Sequence, residues 1–239
     1  MPTVFSTSPH FDDFDKTKQF ARILFRPGRA VQARELTQLQ TIIQAQVERF
    51  GKGVYKDGSF VSPPKETIDE NYDFVKLLET HNSVTADSIV ELMKGEEVIG
   101  QTTGVRAKVV NFATSTTDGD PPTIFVKYTR GGTDISNPAS KFSDDEEIQN
   151  VAGTRTVKSI ASASTGLGTA FSIGESTIFC RGNFLYVPEQ TLIVEKYSNP
   201  TDKSIGLAIT ESVVDSDTDT SLLDPATGTF NFFAPGADR

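Results

Sequence analysis

Between residues 31 and 50 apolar side chains recur at three-to-four spacing, at Leu36, Leu39, Ile43, Val47 and Phe50, which predicts an amphipathic helix. Gly51-Lys52-Gly53 follows, and glycine just past the last periodic position predicts the stop there. Upstream, the apolar stretch 20–25 runs into Arg26-Pro27-Gly28, where proline fixes φ and glycine accepts positive φ, so a turn should precede the helix. The polar positions of the helix are unusual: Gln32, Gln38, Gln40, Gln44 and Gln46 stand where a solvated helix more often carries charged pairs. The seam Leu36, Leu39, Ile43, Gln46, Phe50 has nearly heptad spacing. It suits either a short bundle of symmetry mates with glutamine layers or ordinary packing against the helix's own chain.

Beyond the helix the period shortens. Residues 54–61 read as strand, turn and strand, closed by Ser62-Pro63-Pro64. Short strands are expected at 73–79, 88–92, 97–99, 104–112 and 123–128, separated by Gly-, Asp- and Pro-rich turns such as 117–122. Strands at this spacing predict a compact barrel or sandwich. The small-residue stretch 159–168 reads as a linker or long loop. Residues 177–188 then form a hairpin turning at Arg181-Gly182-Asn183, with further strands at 191–196 and 205–211. The fold class is therefore α+β with β predominating: an N-terminal helical segment followed by small antiparallel β-domains. Three parts are expected: 1–82 as a helical assembly part with a hairpin, 83–155 as an inserted small β-domain, and 156–239 as a β-domain continuing the first part.

Composition narrows the function classes. A chain of 239 residues can bury one large core or several small ones, and 17 Phe against no Trp point to aromatic anchors in a polar background. A net charge of −9 opposes a phosphate backbone, so nucleic acid is not an expected partner. The single Cys180 cannot form an internal disulfide and sits in an apolar stretch, where a buried small hydrophobe is expected. The first residues lack a basic and apolar leader pattern, and nothing reaches the ~20 apolar residues of a spanning helix, so a cytosolic chain without membrane insertion is expected.

The candidate chemistry is sparse. His10 and His81 are the two histidines, both in polar surroundings, and no nucleophile elbow, P-loop, zinc-helix or dinucleotide pattern occurs. Carboxylates are too numerous for a catalytic pair to be picked out. Neither catalysis nor a cofactor is expected. Asp215, Asp217 and Asp219 copy the first ligands of a calcium loop, but Thr220 replaces its glycine and Ala226 its bidentate acid. A solvated acidic loop is the expected reading there, and likewise for Asp144-Asp145-Glu146-Glu147.

Two stretches carry a resemblance. The first is Phe11-Asp12-Asp13-Phe14-Asp15, then Phe20, Ile23-Leu24-Phe25-Arg26-Pro27-Gly28, Ala30-Val31-Gln32-Ala33-Arg34-Glu35-Leu36 and Leu39-Gln40. It resembles the N-terminal part of baseplate and tail-fibre-associated structural proteins of contractile-tailed bacteriophages, the T-even-like and cyanophage types. The second is similar to the same family: Phe179, Arg181-Gly182, Phe184, Ile205-Gly206-Leu207, Ser221-Leu222-Leu223-Asp224 and Asn231-Phe232 with Ala234-Pro235-Gly236-Ala237-Asp238-Arg239. The resemblance implies a virion structural protein of the tail or baseplate, assembled in the host cytoplasm, with no catalytic residues to carry across. It also implies that the polypeptide continues beyond Arg239.

Read physically, the N-terminal stretch suits assembly. Phe11, Phe14, Phe20 and Phe25 offer large anchors, and Arg22, Arg26, Arg29 and Arg34 offer forked donors for a partner's carboxylates. The same residues would equally serve the chain's own core and helix ends. The expectation is a baseplate-wedge or tail-fibre adaptor subunit that contacts other tail proteins and forms a homo-oligomer, with a trimer the first candidate. The alternative is a carbohydrate-binding receptor module of a tail fibre, and a polysaccharide-cutting enzyme ranks third.

Overall fold

The computed structural model of the chain describes residues 6–117, 119–136, 138–199 and 202–239. The chain divides into one compact unit up to residue 201 and a second from residue 202. The architecture is β-predominant α+β: an N-terminal helix, then antiparallel sheets.

Helix α1 spans Ala33–Val54. Glu35 folds back to accept from the Gln32 amide at 2.9 Å, satisfying one donor of the first turn. The expected stop at residues 51–53 does not occur: Gly51 and Gly53 are helical, and Tyr55 ends the helix with its amide bonded to the Gly51 carbonyl at 2.7 Å. Gly51 is there for packing, since a Cβ at this position would fall within the ring of Phe179. The turn before the helix forms as expected, with Gly28 at φ +74° and the Arg29 amide bonded to the Arg26 carbonyl.

The strands follow as β1 (Ser59–Ser62), β2 (Glu66–Lys76), β3 (Thr80–His81) and β4 (Val84–Thr85). Helix α2 (Asp87–Met93) precedes β5 (Glu97–Gly100), β6 (Arg106–Ala113), β7 (Thr123–Arg130), β8 (Glu147–Asn150) and β9 (Thr156–Lys158). Then come β10 (Thr165–Ile173), β11 (Ser176–Cys180), β12 (Asn183–Val187) and β13 (Gln190–Glu195). The main sheet has the order β13-β10-β2-β7-β6-β5-β8-β9, and a three-stranded sheet has the order β1-β11-β12.

The main sheet closes on itself at one end. Leu77 bridges Ser159, the Leu78 amide donates to the Lys158 carbonyl at 2.8 Å, and the Ile160 amide donates to the Lys76 carbonyl at 3.1 Å. This joins β9 to the end of β2 and makes a barrel of β2, β7, β6, β5, β8 and β9, which removes the free edge of β9 while β10 and β13 extend the sheet beyond it. The barrel draws strands from both sides of the 83–155 span. Its interior holds Leu77, Val98, Val109, Ile124, Ile148 and Val157, and α2 plugs it with Val90 and Met93. Residues 88–92, expected as a strand, are thus helical: Ala86, Val90 and Met93 are buried at helical spacing and cover the core.

Other expectations are corrected by packing. In 54–61 the first half ends α1, and β1 pairs with β11 instead of with its own neighbour. The stretch 159–168 is no linker: Ser159 is fully buried, and from Thr165 the chain is β10. Its glycines allow close approach, since a Cβ on Gly166 would meet the Phe74 ring and one on Gly168 the carbonyls of Glu195 and Lys196. The hairpin forms as predicted, with Arg181 (φ +51°) and Gly182 (φ +86°) both left-handed, the pattern of a tight two-residue turn. Cys180 is half-buried, and its neighbour Phe179 is the fully buried anchor. In the predicted turn 117–122, Asp118 lies outside the described residues. Residues 205–211 form no strand; the second unit is held by a Leu223–Pro235 bridge and by reciprocal Val214–Arg239 backbone bonds of 2.7 and 2.8 Å.

Candidate assembly surface

The segment before α1 is an arm laid along one flank of the helix. Asp12 is fully buried; its carboxylate accepts from the Phe14 amide at 3.1 Å and from the Thr41 hydroxyl. Asp13 accepts from Arg34 Nη1 at 3.0 Å and Gln38 Nε2 at 3.1 Å, and further along Gln46 Nε2 donates to the Ala21 carbonyl at 3.4 Å. The Thr17 hydroxyl and amide donate to Asp15 at 2.7 and 2.8 Å and hold its carboxyl below the usual carboxylate range. Between arm and helix lies a cleft of about 350 Å³ lined by Phe14, Phe20, Ile42, Ala45 and Arg49.

The β11–β12 hairpin takes the other flank. Gln44 Nε2 donates to Asn183 Oδ1 at 2.6 Å, Gly182 lies against Glu48, and Gly51 against Phe179. Phe179, Phe184 and Tyr55 form an aromatic cluster with centroids 5.1–6.1 Å apart. Accordingly the buried positions of α1 are Thr41, Ile42, Ala45, Glu48 and Gly51.

The opposite face is apolar and uncovered. Leu36, Ile43, Val47, Phe50 and Val54 are exposed, Phe50 to 67% and Ile43 to 56%, with exposed Gln40 among them. Beside them Ile43, Val47 and Phe184 line a groove of about 430 Å³. A helix that merely packs on its own chain has one apolar stripe; α1 has a second, turned to solvent.

The predicted seam is therefore displaced by one position at two of its five members, Leu39 and Gln46. Leu36, Ile43 and Phe50 lie on the uncovered face, whereas Leu39 is half-buried and Gln46 is bonded to the arm. Gln40, Val47 and Val54 take the alternate places. Val54 lies beyond the stop expected at Gly51 and joins the face because the helix continues through both glycines.

Of the predicted anchors, Phe11, Phe20 and Phe25 are exposed and Phe14 is half-buried against the helix. Arg34 bonds Asp13 and Gln32; Arg22, Arg26 and Arg29 are exposed and form no ion pair among the described residues. His81 bonds Glu147 at 3.0 Å. Asp215 and Asp219 each cap their own turn, through Thr218 and Ser221, which lowers both carboxyls. They do not converge with Asp217, and among the described residues no group of three or more His, Cys, Asp or Glu is placed to hold a metal. No helix among the described residues is long and apolar enough to cross a membrane.

Residues 8–114 match a family described as a domain of unknown function (DUF4815), a stretch that holds the arm, α1 and the strands up to β6. No curated protein and no solved structure matches the chain.

Proposed function

We propose that this chain is a virion structural subunit of a tailed phage, a baseplate-wedge or tail-fibre adaptor that works by self-association and by docking to neighbouring tail proteins, without catalysis. The observation that carries the reading is the second apolar face of α1, left uncovered while the arm and the hairpin fix the helix from its flanks. Exposed contiguous apolar surface of this kind marks an interaction site. The exposed Phe20 and Phe25 with Arg22, Arg26 and Arg29 extend the same logic to the arm, since aromatic and arginine side chains together suit interface contacts. The phage setting is supported by the two stretches that resemble tail and baseplate proteins.

Antibody raised against the chain tests this on purified, disrupted virions of its source phage. The expected result is labelling of the tail or baseplate fraction. Exclusive recovery in the unassembled lysate would overturn the reading.

A further inference from the structure

We infer that α1 joins two further copies of this chain in a parallel, in-register trimer whose seam is Leu36, Gln40, Ile43, Val47, Phe50 and Val54. This rests on the self-association proposed above and names its geometry. The exposed positions are spaced four, three, four, three and four residues apart, the a/d alternation of a heptad repeat, with Leu36, Ile43 and Phe50 at d and Gln40, Val47 and Val54 at a. A 3.5-residue period keeps a seam facing a second helix with the same period. Among the described residues, α2 has seven residues and α1 is the one helix that carries such a repeat, so the matching helix this chain itself supplies is another α1.

Charge points the same way. From Leu36 to Val54 every a, d, e and g position is uncharged, and Glu48, Arg49 and Lys52 fall on b, c and f. A chain of net charge −9 thus keeps its self-repulsion off this one face. The flanks are occupied by the chain's own arm and hairpin, which leaves a shallow seam beside the Phe184 groove for the incoming helices.

Gln40 sets direction. Gln32, Gln38, Gln44 and Gln46 all bond within the chain, whereas the Gln40 amide has no partner among the described residues. In a parallel arrangement Gln40 meets the Gln40 amides of its copies. In the antiparallel one it would face Phe50 and be buried without a bond, which costs the desolvation of the amide. Valine at a with leucine at d is the two-strand pattern, and Leu36 alone supplies it; the central d position is β-branched Ile43, which shifts the preference to three strands.

The test uses the full chain carrying Cys180→Ser and Val47→Cys, which keeps Gln40, oxidised at equilibrium, with its mass measured by sedimentation before oxidation. The expected results are a mass of three chains and covalent dimers from Val47→Cys alone. Cross-links formed only on mixing Val47→Cys with Ile43→Cys chains would overturn the parallel order, and a mass of two chains the trimer. A three-chain mass with no Val47→Cys cross-link would leave self-association standing and remove α1 as its seam. A monomeric chain would remove both.

Discussion

Glu146 is a fully buried carboxylate at the rim of the barrel, and its oxygens are bonded on every side. Oε1 accepts from the Thr102 amide at 3.0 Å, the Thr103 amide at 2.6 Å and the Thr103 hydroxyl at 2.8 Å, while Oε2 accepts from the Ser143 amide at 2.7 Å. It thereby supplies the acceptors for three loop amides that have no strand to pair with. Truncation would remove the acceptor of those part-buried donors and leave a cavity in their place, so Glu146→Ala should lower the unfolding free energy by roughly 1–3 kcal/mol. A urea midpoint unchanged within error would show that these bonds contribute nothing net. The sequence places it in an acidic run expected to be solvated, which holds for the exposed Asp144 and Asp145 and the half-exposed Glu147 but not for Glu146. Asp145 and Glu147 ion-pair or bond to Lys158 and His81, whereas Asp144 is tied to Ser164 at 2.6 Å. A run of four acids does not reveal which one a neighbouring turn will enclose.

At the scale of elements, α1 was the most legible part of the chain, because its apolar period is long and strict. Its C-terminus was not, since glycine has two uses in a helix and sequence alone does not separate them. The structure separates them by surroundings: a Cβ on Gly51 would meet the Phe179 ring, and one on Gly53 would meet nothing within 4 Å. Two substitutions should therefore act oppositely. Gly53→Ala should raise stability by about 0.5–1 kcal/mol by lowering backbone entropy in the unfolded chain. Gly51→Ala should lower it by about 1–2 kcal/mol, because displacing a packed aromatic outweighs the same gain. Thermal unfolding of the two variants side by side checks this, and equal shifts would contradict the packing role given to Gly51. The short helix α2 is illegible for the complementary reason: five residues with three apolar side chains fit a strand or a helix, and the barrel mouth that decides between them is built from residues far along the chain.

For the whole molecule, the β-predominant class was legible from strand spacing and turn chemistry, which left barrel and sandwich as alternatives. The closure of the barrel was not, because it depends on Leu77 meeting Ser159 across 81 residues of intervening chain, and residues 159–168 look like a linker when their neighbours are unseen. The same limit applied to the assembly surface. Periodicity placed an apolar seam on α1, but only the flanking arm and hairpin show which stripe is covered and which is free. Hydrophobic faces for core and for partner are chemically alike.

The central claim is that the free stripe of α1 holds copies of the chain together. Sedimentation equilibrium of the intact chain and of Ile43→Glu tests it most directly, since Ile43 is exposed and its replacement leaves the fold of a single copy intact. The account predicts a multimer for the original chain, and for the variant a monomer with an unchanged circular dichroism spectrum. An original chain that stays monomeric at high concentration, or a variant that assembles as before, would contradict it.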